Sequence, residues 1–425
     1  MVIGRIHCSC EKPGLLSGRV GQMSMAVRSA RLACGPRGAL LLLLVILLSA
    51  LVVLHKVIQS PLLNQNKILQ DHLRGQHERH IRSTRTILLW TDFFGDPRWK
   101  LSWDTLGPQE LRDELHCPVY QCEISNQHAF LPAVELYDAI VFHAAEMFPL
   151  LRPVPSHRSP HQAYVFALME PPGETKHRLD DEQGFYNLTM TYRLDSDVIW
   201  PYGQLLDIAT DAVVAPSVKP PWRKPPATFN DTLVWNLWSG KTKTAAWFVS
   251  HCATLSKREV LANRLQEFFN VDIRNRHRSP GCTRGDPRCD EMLDTDYFFY
   301  LAFENSLCDD YVTEKLFDAL QRTVVPVVFG GADYSRILPP HSYVDANRFE
   351  TVEELARYLN FVAGDPDMYV SYFWWRSHYR LVPSSPFCDL CARLHAPAFG
   401  HKTQFYHNIQ SWWFNSCRLE SRIRL

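Results

Sequence analysis

The chain has 425 residues, 45 basic against 45 acidic side chains, 46% hydrophobic and 12% aromatic content, and twelve cysteines. That apolar and aromatic supply can fill sizeable cores, which excludes a disordered or collagen-like chain. Zero formal net charge leaves no whole-chain footprint for nucleic acid, and the length fits two or three domains or one two-lobed enzyme.

Residues 1–38 carry six Lys or Arg against one acidic residue and read as a cytoplasmic tail. Ala39 to Leu54 is an uncharged apolar run that resumes past His55 and Lys56 to Ile58, about the length of a short membrane-spanning helix. A cleaved signal peptide is the alternative, but its charged region would be 38 residues long and no small-x-small cleavage site follows. Residues 39–58 are therefore expected to be a signal-anchor, with the body lumenal. Polar, mixed-charge residues 59–85 read as a stem. Nine cysteines lie beyond the anchor: Cys117, Cys122, Cys252, Cys282, Cys289, Cys308, Cys388, Cys391 and Cys417. In an oxidising lumen they imply disulfides, with one left free or intermolecular, which allows a homodimer through that thiol or the stem. Asn187-Leu-Thr and Asn230-Asp-Thr are N-glycosylation sequons, meaningful only for a lumenal body.

Thr86-Ile-Leu-Leu-Trp90, Ala139 to Phe142 and Ala163 to Ala167 are buried-strand signals at helix-length spacing, which predicts a parallel α/β lobe over 86–240. The run from Pro216 to Pro226 cannot sit inside a sheet and is expected on the surface between lobes. A second lobe follows over 241–375. Its predicted elements are a strand at Ala245 to Ser250, a helix over 257–269 with apolar Val260, Leu261, Leu265 and Phe268, and a strand at Tyr297 to Phe303. A helix over 311–322 and a strand from Val324 to Phe329 complete it. Two α/β lobes imply a cleft, and clefts at strand C-termini are where such folds bind ligands.

Phe303-Glu-Asn-Ser-Leu-Cys-Asp-Asp-Tyr-Val-Thr-Glu-Lys315 follows a strand and opens a helix, where backbone N–H groups face an anion. A lysine at that helix start does not serve the dipole, so Lys315 reads as a phosphate contact or as half of a solvated Glu-Lys pair. FENS, DYVTEK and the following VVPVVFG resemble the donor signature of the α1,3-fucosyltransferases, glycosyltransferase family 10. Leu88-Leu-Trp-Thr91, Met169-Glu-Pro-Pro172, the run from Phe185 to Asp197, and Ala246 to Cys252 resemble further family elements, in order, from Thr86 to about Trp375.

The resemblance implies a GT-B fold of two Rossmann-like lobes and an inverting transfer of L-fucose from GDP-fucose. The acceptor would be the 3-hydroxyl of a GlcNAc on a glycoprotein glycan, core or antennary. A protein Ser/Thr acceptor, or a catalytically silent nucleotide- or glycan-binding paralogue, are the alternatives. By position, Glu170 is the general base, Arg258 and Lys315 contact the diphosphate, Asn305 and Tyr311 line the donor site, and Glu314 holds the ribose. No cofactor is required and a divalent metal is not expected to be essential; Asp195-Ser-Asp197 looks like a metal-binding DxD but sits in the family's YRxDSD run, which favours a structural or acceptor-side role. The family's C-terminal CxxC implies that Cys388 and Cys391 bond to Cys117 and Cys122, tying 376–425 to the first lobe. His251 and the acidic pair Asp309-Asp310 depart from the family pattern. Phe373-Trp-Trp375 and Trp412-Trp-Phe414 suit sugar stacking or, more commonly, core packing. The expected location is the Golgi membrane, single-pass type II.

Overall fold

The computed structural model describes residues 47–51, 84–147, 154–175, 179, 182–275, 282, 286–397, 399 and 405–425. Most of the expected anchor and stem lies outside them. Among the described residues no helix is long and apolar enough to cross a membrane.

The first lobe is built on β1 (Arg85–Leu89), β2 (Thr105–Leu106), β3 (Cys122–Ser125), β4 (Ala139–His143), β5 (Ala163–Leu168), β6 (Leu188–Thr191) and β7 (Val198–Ile199). They form one sheet in the order β2-β3-β1-β4-β5-β6-β7, parallel except for β2. Every residue of β4, β5 and β6 is buried, which is why these strands read as unbroken apolar runs: a parallel sheet is covered on both faces. Next come β8 (Gln204–Asp207) and β9 (Val213–Ala215), then the largely exposed stretch from 216 to 226, which behaves as the prolines predict.

The second lobe carries β10 (Lys243–Val249), β11 (Val271–Asn275), β12 (Tyr297–Phe303), β13 (Leu307–Cys308), β14 (Val325–Phe329) and β15 (Val344–Asp345). Its parallel sheet runs β11-β10-β12-β14-β15. Pairing with β15 starts at Val327, one residue past Pro326, so the proline is tolerated inside the sheet. The helix predicted over 257–269 is shorter, α1 (Arg258–Leu265), and its buried face is Leu261, Ala262 and Leu265; Val260 and Phe268 point to solvent. The helix predicted over 311–322 is α2 (Glu314–Leu320), with Leu316, Phe317, Ala319 and Leu320 buried.

After the second lobe the chain does not remain a separate extension. β16 (Tyr379–Val382) pairs with β8, making a small sheet β16-β8-β9 that joins the two halves. Helix α3 (Pro386–His395) then places Phe387, Leu390, Cys391 and Leu394 in the core of the first lobe. Helix α4 (Ile409–Phe414) buries Ile409 and Trp413 on that lobe's other face. The chain finally returns to the second lobe, where β17 (Cys417–Arg418) pairs with β13 and Ile423 enters the core. The bonds Cys117–Cys388 and Cys122–Cys391 have the pairing the family's CxxC implies. Cys282–Cys289 and Cys308–Cys417 are bonded too, and Cys252 is also disulfide-bonded, so the expected odd thiol is absent from this set.

Asn187 corrects the glycosylation expectation. It is 8% exposed, and its side-chain oxygen accepts from the N–H of Tyr164 at 2.8 Å and from Arg158. A glycan there would break the entry into β6, whereas Asn230 is exposed. Phe373, Trp374 and Trp375 are buried in the second lobe and Trp413 in the first, so these aromatics pack cores.

Candidate active site

The site forms where the C-terminal ends of β5 and β12 face each other across the two lobes. Glu170 follows β5 by two residues. The carbonyl of Met169 accepts from the Tyr202 hydroxyl at 2.8 Å, and Pro171 and Pro172 stiffen the exit of the strand. Gly173 lets this turn close on the second lobe: a Cβ there would meet Leu255 Cδ1 at 2.2 Å. Among the described residues the Glu170 carboxyl has no hydrogen bond or ion pair. Burial pushes its pKa up; Lys315 opposes the shift, and Glu314, Glu174 and Glu304 reinforce it. The Glu170 carboxyl of one lobe thus feels the charge of Lys315 on the other.

Lys315 is held from three sides. Its Nζ lies 2.7 Å from Thr313 Oγ1, 3.1 Å from Glu304 Oε2 and 3.4 Å from Glu314 Oε1. Glu304, 1% exposed, accepts from the N–H of Thr313 at 2.8 Å and from its hydroxyl through both oxygens, at 3.1 and 3.0 Å. Burial pushes the Glu304 pKa up, and Lys315 and the Thr313 N–H oppose that shift. Burial pulls the Lys315 ammonium down, but Glu304 and Glu314 outweigh it and its pKa ends above the ordinary lysine value. The sequence reading passed over Glu304, although it is the E of FENS; a Glu directly after an all-apolar strand is buried unless the strand end is open, and that was the available signal.

The remaining expected residues divide. Asn305 has a buried side-chain oxygen without a partner among the described residues, and Glu314 is half-buried on the first turn of α2. Tyr311 is 2% exposed and packs 5.0 Å from Tyr192 and 6.5 Å from Tyr202, inside the first lobe's core. Arg258, 4% exposed, donates through Nη1 to Phe303 O at 2.8 Å and through Nη2 to His251 O at 3.2 Å. Those two bonds tie down the end of β12, and among the described residues its buried Nε has no partner. Ser306 Oγ and Tyr334 Oη, around the same strand end, are also buried and without a partner among the described residues. A cluster of orphaned polar atoms beside a fixed ammonium is what a polar ligand would satisfy.

Asp195 and Asp197 both hold contacts within the first lobe and to the C-terminal tail. Asp195 pairs with Arg193 at 2.6 Å and accepts from Trp412 Nε1; Asp197 accepts from Thr189 N, Tyr406 Oη and Arg393. The one grouping with metal-ligand geometry among the described residues, Cys122, Cys391 and His395, has both sulfurs in a disulfide.

Two family models match the body: "Fucosyltransferase, N-terminal" over residues 82–203, and "Glycosyltransferase family 10 (fucosyltransferase) C-term" over 238–412. The chain is 87% identical over its whole length, and that of the relative, to Alpha-(1,3)-fucosyltransferase C of Drosophila melanogaster. The chain belongs to glycosyltransferase family 10 and is a fucosyltransferase. A further family member, Alpha-(1,3)-fucosyltransferase fut-1 of Caenorhabditis elegans, is 34% identical over 68% of this chain and 60% of its own. A crystal structure of an α1,3-fucosyltransferase with GDP-fucose aligns over 75% of this chain and 93% of that one, at a TM-score of 0.42 and 15% identity. In this fucosyltransferase the first family segment contributes Glu170 just past β5 and the second contributes Lys315 on the first turn of α2.

Proposed function

We propose that the protein is an inverting α1,3-fucosyltransferase that moves L-fucose from GDP-fucose to the 3-hydroxyl of GlcNAc on glycoprotein glycans. The name of the 87%-identical fly relative supports the α1,3 linkage. The observation that carries the chemistry is the opposition of a half-buried carboxylate on the first lobe, unpaired among the described residues, to a carboxylate-held lysine on the second.

Inverting transfer needs one base and a stabilised leaving group. The acceptor oxygen bonds to C1 of fucose as the C1–O bond to the β-phosphate breaks. Its proton passes to the Glu170 carboxylate, and the charge left on GDP is met by Lys315. Burial raises the basicity of Glu170 toward the working pH, which suits it to accept that proton. Arg258 contributes positive charge while its bonds to Phe303 and His251 hold the strand end, and Glu314 is placed on the helix start for the ribose hydroxyls. The disulfides fit an oxidising lumen, and with a 39–58 anchor this gives a type II Golgi membrane enzyme.

The test is to incubate the enzyme with GDP-fucose and an array of glycans and glycopeptides and to locate the added sugar by mass spectrometry. Fucose on the GlcNAc 3-hydroxyl with a β-to-α change of configuration is expected. Transfer only to Ser/Thr, or none at all, would overturn the acceptor or the activity.

A further inference from the structure

The loop that carries Asn305 and Tyr311 leaves β12 and crosses to the first lobe before α2 begins. Along this crossing its inner side is packed, with Leu307, Cys308 and Tyr311 all 3% exposed or less. Its outer side is not. There it borders a polar cavity of about 640 Å³ whose lining includes Asp309, Asp310, Gly331, Asp345, Arg348 and Arg418. A loop flanked by an open polar cavity has room to relax outward unless something holds it.

The C-terminal tail does so at several points. Cys308 is bonded to Cys417, and the two stand opposite each other in the antiparallel pairing of β13 with β17. The N–H of Asp309 donates to the carbonyl of Ser416 at 2.8 Å. Arg418 donates through Nη2 to the carbonyl of Gly331 at 2.9 Å. Gly331 is the floor on which the loop rests, since a Cβ there would lie 2.4 Å from Cys308 N. A few residues earlier the same tail touches the base side of the site. Trp413, fully buried, donates to Thr175 Oγ1 at 3.0 Å, just past the turn that follows Glu170, and its ring packs 5.6 Å from Tyr192, which packs on Tyr311. Six residues of tail, 413 to 418, thus span both halves of the site.

We infer that the Cys308–Cys417 bridge and Arg418 are positioning elements for the sugar nucleotide, the tail holding the Asn305–Tyr311 loop in its donor-binding shape against Glu170. The inference rests on the donor site proposed above. A bridge at this position acts differently from those at Cys388 and Cys391, which fasten the tail to the first lobe remote from the donor loop. Its loss frees the loop without detaching the tail, whose two other bridges and buried α3 and α4 remain.

The experiment compares the full enzyme with the double variant Cys308→Ser/Cys417→Ser, which removes the bridge and leaves no odd thiol, and with Arg418→Ala, which keeps it. KM for GDP-fucose, KM for the acceptor, kcat and direct GDP binding by calorimetry are measured on each. The expected result is a rise of about tenfold in donor KM and in the GDP dissociation constant for the double variant, and a smaller rise for Arg418→Ala, with acceptor KM within about twofold. A merely structural bridge would lower the active fraction and leave both KM values unchanged, and that outcome in the folded double variant overturns the inference. If the double variant does not fold, an unchanged donor KM in Arg418→Ala does the same. Lys315→Ala separates the two levels: if it leaves GDP binding intact the donor site itself is misplaced, whereas if it abolishes binding while the tail variants do not, only the positioning role fails.

Discussion

Glu170 and Lys315 set what single substitutions should do. Removing the proposed base in Glu170→Gln is expected to lower kcat by about 10²–10⁴-fold with the circular dichroism spectrum unchanged. The acid limb of the wild-type kcat/KM profile should lie above the ordinary glutamate range, because burial raises this carboxyl. The same shift has a stability consequence. A carboxyl whose pKa is raised in the folded state binds more protons there than when unfolded, so stability falls as pH rises from the unfolded to the folded pKa. Glu170→Gln should therefore melt above wild type near pH 8, with the gap closing as pH drops below the ordinary glutamate value. Lys315→Ala has the opposite character. It strands the buried Glu304 carboxylate, at a cost of about 3 kcal/mol, and thermal melts of that variant should show it. Pairing it with Glu304→Gln should recover much of the melting temperature and none of the turnover, which separates the structural from the chemical effect of the lysine.

At the scale of elements, α2 shows how one residue type does several jobs. Thr313 is its N-cap, and the same hydroxyl meets Lys315 Nζ and the Glu304 carboxylate. Thr313→Ala should lower the unfolding free energy by about 1–2 kcal/mol, read as a lower urea midpoint at unchanged m, and Thr313→Ser should restore most of it. The strands were legible because buried parallel strands are unbroken apolar runs; this helix was legible as an element, but it starts at Glu314 behind its Thr313 cap, three residues after the expected 311. The helix at Arg258 was misjudged at its ends. Four apolar side chains at helical spacing predicted one face, but the stripe that packs is shifted to Leu261, Ala262 and Leu265, and the helix stops before Phe268. Periodicity alone does not say which neighbouring surface a short helix meets.

For the whole molecule, the tail after residue 376 acts as a staple between lobes. Cys117–Cys388 and Cys122–Cys391 close loops of 271 and 269 residues, yet each is nearly redundant once the other exists, because only 5 (122 − 117) and 3 (391 − 388) residues separate their ends. The loop-closure contribution is then shared. Cys388→Ser/Cys117→Ser alone should cost well under the sum's half, while removing both bridges should cost about 4–5 kcal/mol, so a double-mutant cycle in denaturant should show strong non-additivity. Additive losses would mean that the bridges act through native packing instead.

Sequence alone determined the two α/β lobes and the family, carried by local pattern and by an ordered set of motifs that includes FENS and DYVTEK, and the family resemblance supplied the partners of the C-terminal CxxC. It also singled out Glu170, whose local setting of a glutamate before two prolines says little without the family match. Only the tertiary structure decided that Glu304 anchors Lys315, that Arg258 directs two donors to backbone carbonyls, that Asn187 is buried, and that the tail returns to the loop after β12 through Cys417. Those facts depend on which distant segments share a surface. Burial, orphaned donors and long-range pairing are properties of the packed chain, and no window of sequence contains them.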